Sequence, residues 1–80
     1  MEMKDTVRGL IVKLFDFEPE DVGDERSLTE LGVDSLMALD VLTALEKEFK
    51  VRLPEESLRR FTSLNGICAV LDDEIKRAAN

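Results

Sequence analysis

The chain has no histidine, no tyrosine and no tryptophan, and its single cysteine is Cys68. Each absence removes a kind of chemistry. Without histidine the Ser/His/Asp and Cys/His nucleophile systems cannot be built, and one thiol cannot make a cysteine-rich zinc site. A lone cysteine also excludes an internal disulfide, which suits a reducing cytoplasm. No apolar run approaches the ~20 residues needed to cross a bilayer. The opening stretch MEMKDTVRGLIVKLF threads charges through its apolar positions, unlike a signal-peptide core. The expectation is a soluble cytoplasmic protein with no membrane partner.

The 80 residues are expected to form one domain over 1–80, near the size at which a hydrophobic core is only just self-sufficient. A large catalytic cavity would consume that core, so the chain is not expected to be an enzyme. With 44% hydrophobic residues it is too apolar to be disordered.

The net charge of −7 lies entirely in residues 1–50, where six Lys/Arg meet thirteen Asp/Glu. Between residues 16 and 40 nine acids face one base, Arg26. Nucleic acid is therefore an unsuitable partner, because its phosphates would be repelled, and a basic protein surface is a better one. Plain solubility would account for the same acids. The acidic stretch DVGDERSLTE lacks the regular ligand spacing of a calcium loop, so no metal site is expected.

Val7, Leu10, Ile11 and Leu14 recur at helical spacing and predict a first helix over 4–15, weakened by Gly9. DFEPEDVGDERS reads as a long loop anchored by Phe17 and Val22. Ser27 and Glu30 stand at capping-box spacing and predict one short turn that Gly32 ends. A second helix is predicted from Ser35 to Phe49, then an extended KVRLP, then a brief helix PEESLRR with Pro54 in its first turn. Thr62 or Ser63 can cap a last helix whose Leu64, Ile67, Leu71 and Ile75 share a face. The fold class is thus all-α, with three main helices and one short one. Its expected core is Val7, Leu10, Ile11, Leu14, Leu42, Leu45, Phe49, Phe61, Ile67 and Leu71.

On a wheel of 100° per residue the second helix puts Ala38, Val41, Leu42, Leu45 and Phe49 on its core side. Leu36, Met37, Asp40, Thr43, Ala44 and Lys47 fall opposite. An apolar Leu36–Met37 pair among acids suggests a docking surface, unless the preceding turn folds over Leu36. Of the two, Met37 is the one expected to stay exposed.

Ser35, inside GVDSLMAL, admits three roles. It or Asp34 could cap the second helix; it could be a nucleophile, for which the sequence offers no base; or it could be a modification site exposed at a helix start.

LGVDSLMALDVLTALEKEF resembles the attachment motif of the acyl carrier proteins, an L-G-x-D-S-L sequence opening the second helix. The similarity extends to the acidic loop around FEPEDV, to EKEFKVRLP and to FTSL before the last helix. It implies a small acyl-carrier bundle in which Ser35 carries 4'-phosphopantetheine donated by coenzyme A, with Asp34, Gly32 and Leu36 completing the signature. It also implies a monomer that holds acyl groups as thioesters. Its partners would be a phosphopantetheinyl transferase, acyl transferases, ketosynthases and other acyl-processing enzymes, met through Met37, Asp40, Thr43, Ala44 and Lys47. An acyl chain would be sheltered between the helices.

Three features depart from the typical bacterial fatty-acid carrier. Met37 stands where that subfamily has an acid, Lys47 does so further along the outward face, and Arg59 and Arg60 make the short helix basic. The departures suggest a specialised carrier, for polyketide-type or modified lipid synthesis, with ordinary fatty-acid synthesis still open. An aminoacyl or D-alanyl carrier and an unmodified acidic interaction module also remain as alternatives. Cys68, beside the core face of the last helix, reads as a small buried hydrophobe.

Overall fold

The computed structural model describes residues 3–79, all in helices, turns and loops. Helix α1 (Met3–Phe15) leads through a long loop to α2 (Ser35–Phe49), and α3 (Leu64–Ala79) closes the chain. Two 3-10 segments, Pro19–Asp21 and Glu55–Arg60, interrupt the connections. Helix α1 packs on both α2 and α3, and the second 3-10 segment bridges α2 and α3 at the side α1 leaves open. This is the predicted arrangement of three main helices and one short element, with a single 3-10 turn, Pro19–Asp21, added within the long loop.

Val7, Ile11, Leu45, Leu64, Ile67 and Leu71 form the fully enclosed centre, with Leu42 and Phe61 buried beside them. Leu10 and Phe49 are half-buried against this centre. Leu14 is a correction: it is 43% exposed. The buried ridge of α1 follows Val7, Ile11 and Phe15 at i, i+4 and i+8, so Leu10 and Leu14 lie on its flank. Leu28, Val33, Leu53 and Val70, none of them expected in the core, are buried too. They sit in loops or at the edge of a stripe, where helical periodicity carries no signal.

The loop from Asp16 to Asp34 is pinned at several points. Val22 is completely buried and Phe17 packs on the core, with its ring 5.7 Å from that of Phe15. Arg8 donates from Nε to the Val22 carbonyl at 2.9 Å and pairs with Asp5 and Asp24. The amide of Asn65 bonds the Asp24 carbonyl, and that of Leu28 the Thr62 carbonyl. These long-range bonds tie the loop to α1 and to the start of α3, which fixes where α2 begins.

Helix termini follow local chemistry. Ser63 caps α3 by accepting from the amide of Gly66 at 3.2 Å. Gly66 is required because a Cβ there would collide with the carbonyl oxygen of Arg60. Helix α2 ends on Lys50 in the left-handed conformation, φ 54°. Beyond it the Glu46 carboxylate accepts from the Leu53 amide at 2.9 Å, which holds the extended segment. Pro54 precedes the short element as its N-cap residue, and that element is 3-10 in form.

Candidate functional site

The turn before α2 forms from short-range bonds. The amides of Leu31 and Gly32 reach the carbonyls of Leu28 and Thr29, and Val33 returns to Leu28 at 3.0 Å. Gly32 adopts φ 93°, a conformation that favours glycine, and so reverses the chain just ahead of the helix. Val33 then points inward and is buried, while Asp34 and Ser35 emerge exposed.

Two residues could have capped α2, and Asp34 does so. Its Oδ1 accepts from the Met37 amide at 2.9 Å. Ser35 is the first helical residue, and its hydroxyl makes no hydrogen bond among the described residues. That hydroxyl is exposed at the helix start.

Beside it lies a cleft of about 180 Å³ bounded by Val33, Ala38, Leu58 and Phe61, with the hydroxyl-bearing Thr29 and Thr62 at its wall. The first-turn amides of Ser35 and Leu36 have no acceptor within the helix, and they add to the positive end of its dipole. A phosphodiester on the Ser35 oxygen would sit at that positive end, and an arm leaving it would have both open solvent and the cleft within reach. The residues present fit a phosphopantetheine group.

The outward face of α2 differs in part from the wheel. Leu36 is 75% exposed, so the preceding turn does not fold over it. Met37 is half-buried and packs against the core, the reverse of the expectation for this pair. It lies on the side of α2 that carries Val41, one turn along at i+4, so the neighbouring elements cover it. Ala44 is likewise half-buried, and Asp40, Thr43 and Lys47 are exposed. Thr43 turns its hydroxyl back to the Leu39 carbonyl at 3.1 Å. Leu39, absent from the predicted face, is 37% exposed, and with Leu36 at i−3 it makes the true apolar patch. That i, i+3 spacing was the available signal.

The chain matches the phosphopantetheine attachment site family over residues 5–71. It is 40% identical over 73 residues to the polyketide-8 synthase acyl carrier protein 2 of Streptomyces avermitilis, covering 90% of this chain and 84% of that one. The chain belongs to the acyl carrier protein family.

Other relatives are large synthases. Identity is 30% over 69 residues with the non-reducing polyketide synthase pigA of Monascus ruber, and 39% over 59 residues with the methylphloroacetophenone synthase of Cladonia uncialis. The matches cover 86% and 74% of this chain but 3% and 2% of those synthases.

As an acyl carrier the protein is not itself an enzyme, and its prosthetic group is covalent 4'-phosphopantetheine. The arm supplies a thiol that holds acyl intermediates as thioesters. The chemistry on them belongs to acyl-processing partner enzymes, and the aminoacyl-carrier and plain-adaptor alternatives are not favoured. Among the described residues no helix is long and apolar enough to cross a membrane.

Proposed function

We propose that Ser35 is the residue that bears the arm, and that the carrier serves polyketide-type synthesis. One observation carries the first part: Asp34 caps α2, which leaves an exposed, unbonded Ser35 hydroxyl at the helix start. A phosphopantetheinyl transferase would remove the Ser35 proton. The oxygen would then attack the β-phosphorus of coenzyme A, breaking the pyrophosphate and releasing adenosine 3',5'-bisphosphate. Asp34 orients the first turn, Gly32 turns the chain into it, and Leu36 offers the exposed apolar contact beside it. Asp40, Thr43 and Lys47 line the same outward stripe for partner recognition, with Ala44 at its edge. Met37 contributes through packing rather than through exposed contact.

The polyketide part is supported by the named pathway of the standalone relative and of the synthases. Thr29 and Thr62 make the lining of the cleft beside Ser35 part polar, which suits an oxygenated chain better than a purely alkyl one. In this reading residues 1–80 act as one monomeric carrier domain in a reducing cytoplasm, which accords with the single thiol of Cys68.

The test is intact mass after incubation with coenzyme A and a broad-specificity phosphopantetheinyl transferase, with Ser35→Ala in parallel. A gain of one phosphopantetheine on the unaltered chain alone is the expected result. Modification of the alanine variant would move the attachment elsewhere. Acyl groups released from the arm of protein purified from its native cell decide the pathway: β-keto chains support the polyketide reading, and saturated alkanoyl chains overturn it.

A further inference from the structure

A groove between α1 and α2 lies at the end of α2 remote from Ser35. Leu10, Leu14 and Ala44 make it apolar, Lys13 and Lys47 line it, and Glu48 is its one acid. Its volume is about 320 Å³, and a second opening of about 290 Å³ shares Leu10, Lys13 and Glu48 and extends to Thr6 and Gly9. The stretch from Thr6 to Leu14 rises about 12 Å, some two turns of helix.

Two independent features need a use. Lys13 and Lys47 form no ion pair among the described residues, whereas Lys4 and Arg8 of the same half are both paired with Asp24. Two ammonium groups without a carboxylate partner, beside an apolar floor with one acid, make the groove locally cationic within the half of the chain that carries the net charge of −7. Gly9 is the second feature. It lies mid-helix, where glycine weakens the helix, yet a Cβ there would meet nothing within 4 Å. The fold itself does not require that glycine, and its missing side chain leaves room for another backbone to approach closely.

We infer that this groove docks an amphipathic helix of a partner protein, one with an apolar ridge flanked by carboxylates. The ridge would meet Leu10, Leu14 and Ala44 as helix-in-groove recognition does, and the carboxylates would pair with Lys13 and Lys47. Lys47 lies twelve residues from Ser35, about 18 Å along the axis, so a helix held there leaves Ser35 open to a second protein. The inference does not depend on which residue bears the arm.

The experiment titrates the isotope-labelled full chain with two synthetic amphipathic helices of about 15 residues. Both carry the same leucine ridge, one flanked by glutamates and one by lysines. The glutamate peptide is expected to give saturable amide shifts confined to residues 6–14 and 44–48. The double change Lys13→Glu and Lys47→Glu should weaken it about tenfold. Gly9→Gln should weaken it as well while keeping or raising Tm, which separates docking from folding. Phosphopantetheine loading by intact mass should be unchanged in Gly9→Gln, which lies outside the outward stripe of α2, so failure here is distinct from failure of the carrier reading. Equal binding of both peptides, shifts centred on residues 34–40, or no saturable shift would overturn the proposal. Shifts of the groove residues on raising protein concentration alone would overturn it too, and would assign the groove to a second copy of the chain.

Discussion

The carboxylate of Asp34 accepts from the amide of Met37 at 2.9 Å, and by holding that amide it releases its neighbour Ser35 from any capping duty. Adjacent residues of similar capping ability thus have separate tasks. Asp34→Ala should cost about 1 kcal/mol, which lowers Tm by about 4–8 °C in a domain of this size. Ser35→Ala should leave Tm almost unchanged and abolish the mass gain with coenzyme A. A thermal melt and an intact-mass measurement on both variants check this pair, and a Tm loss of equal size in Ser35→Ala would contradict the assignment of the cap.

Leu36 and Met37 should respond differently to change, although they are neighbours in sequence. Leu36→Ala removes an exposed side chain and should alter stability by no more than about 0.5 kcal/mol, while slowing acyl transfer from partner enzymes. Met37→Glu puts a carboxylate against the core and should cost about 1 to 2 kcal/mol. Denaturant melts beside transfer kinetics distinguish the two. A Leu36→Ala protein with normal kinetics across acyl-processing partners would remove that residue from the contact surface.

Arg8 holds the long loop through the Val22 carbonyl and through Asp24. Its side chain is only 25% exposed, so these bonds are screened less than surface pairs. Arg8→Ala should cost about 1 to 2 kcal/mol and speed hydrogen exchange between residues 22 and 33. Arg8→Lys should restore little, since an ammonium group cannot serve three spread acceptors with the fork geometry of a guanidinium. Exchange rates equal to those of the unaltered chain would show that the loop is held by Val22 and Leu28 burial alone.

Burial pushes the Cys68 thiol up from its ordinary pKa, with Lys4 acting in the opposite sense. Less thiolate is therefore present at a given pH in the folded chain than in the unfolded one. Alkylation of the unloaded protein by iodoacetamide should be slower folded than in denaturant, and should accelerate only at higher pH. The associated stability is present below the unfolded thiol's pKa and is lost as pH rises through the folded one. Equal alkylation rates in the folded and denatured protein at pH 8 would refute the shift.

Element existence was legible because it rests on short-range rules. The helices over 4–15 and 35–49 follow from apolar spacing and from a lack of breakers, and they agree with α1 and α2 within a residue or two at each end. Phe17 and Val22 were recognisable as anchors because they are apolar residues in an otherwise polar loop. The far wall of the cleft beside Ser35 was not legible: Leu58, Phe61 and Thr62 come from a segment more than twenty residues further along the chain, and no local pattern links them to residue 35. The exposure of Leu14 has a related cause. A wheel shows which residues share a stripe, and only the angle at which neighbouring helices cross decides which edge of it is covered.

By itself, then, the sequence determined the all-α class, the acidic half, the absence of histidine-based catalysis and the G-x-D-S-L stretch that marks the family, because composition and local periodicity carry all four. Only the tertiary structure decided that Asp34 rather than Ser35 caps α2, that Leu36 rather than Met37 faces solvent, and that Lys13 and Lys47 flank one groove. The first turns on the backbone conformation at one helix end, and the other two on which surfaces meet when helices pack, a many-body outcome of burial that no single segment encodes.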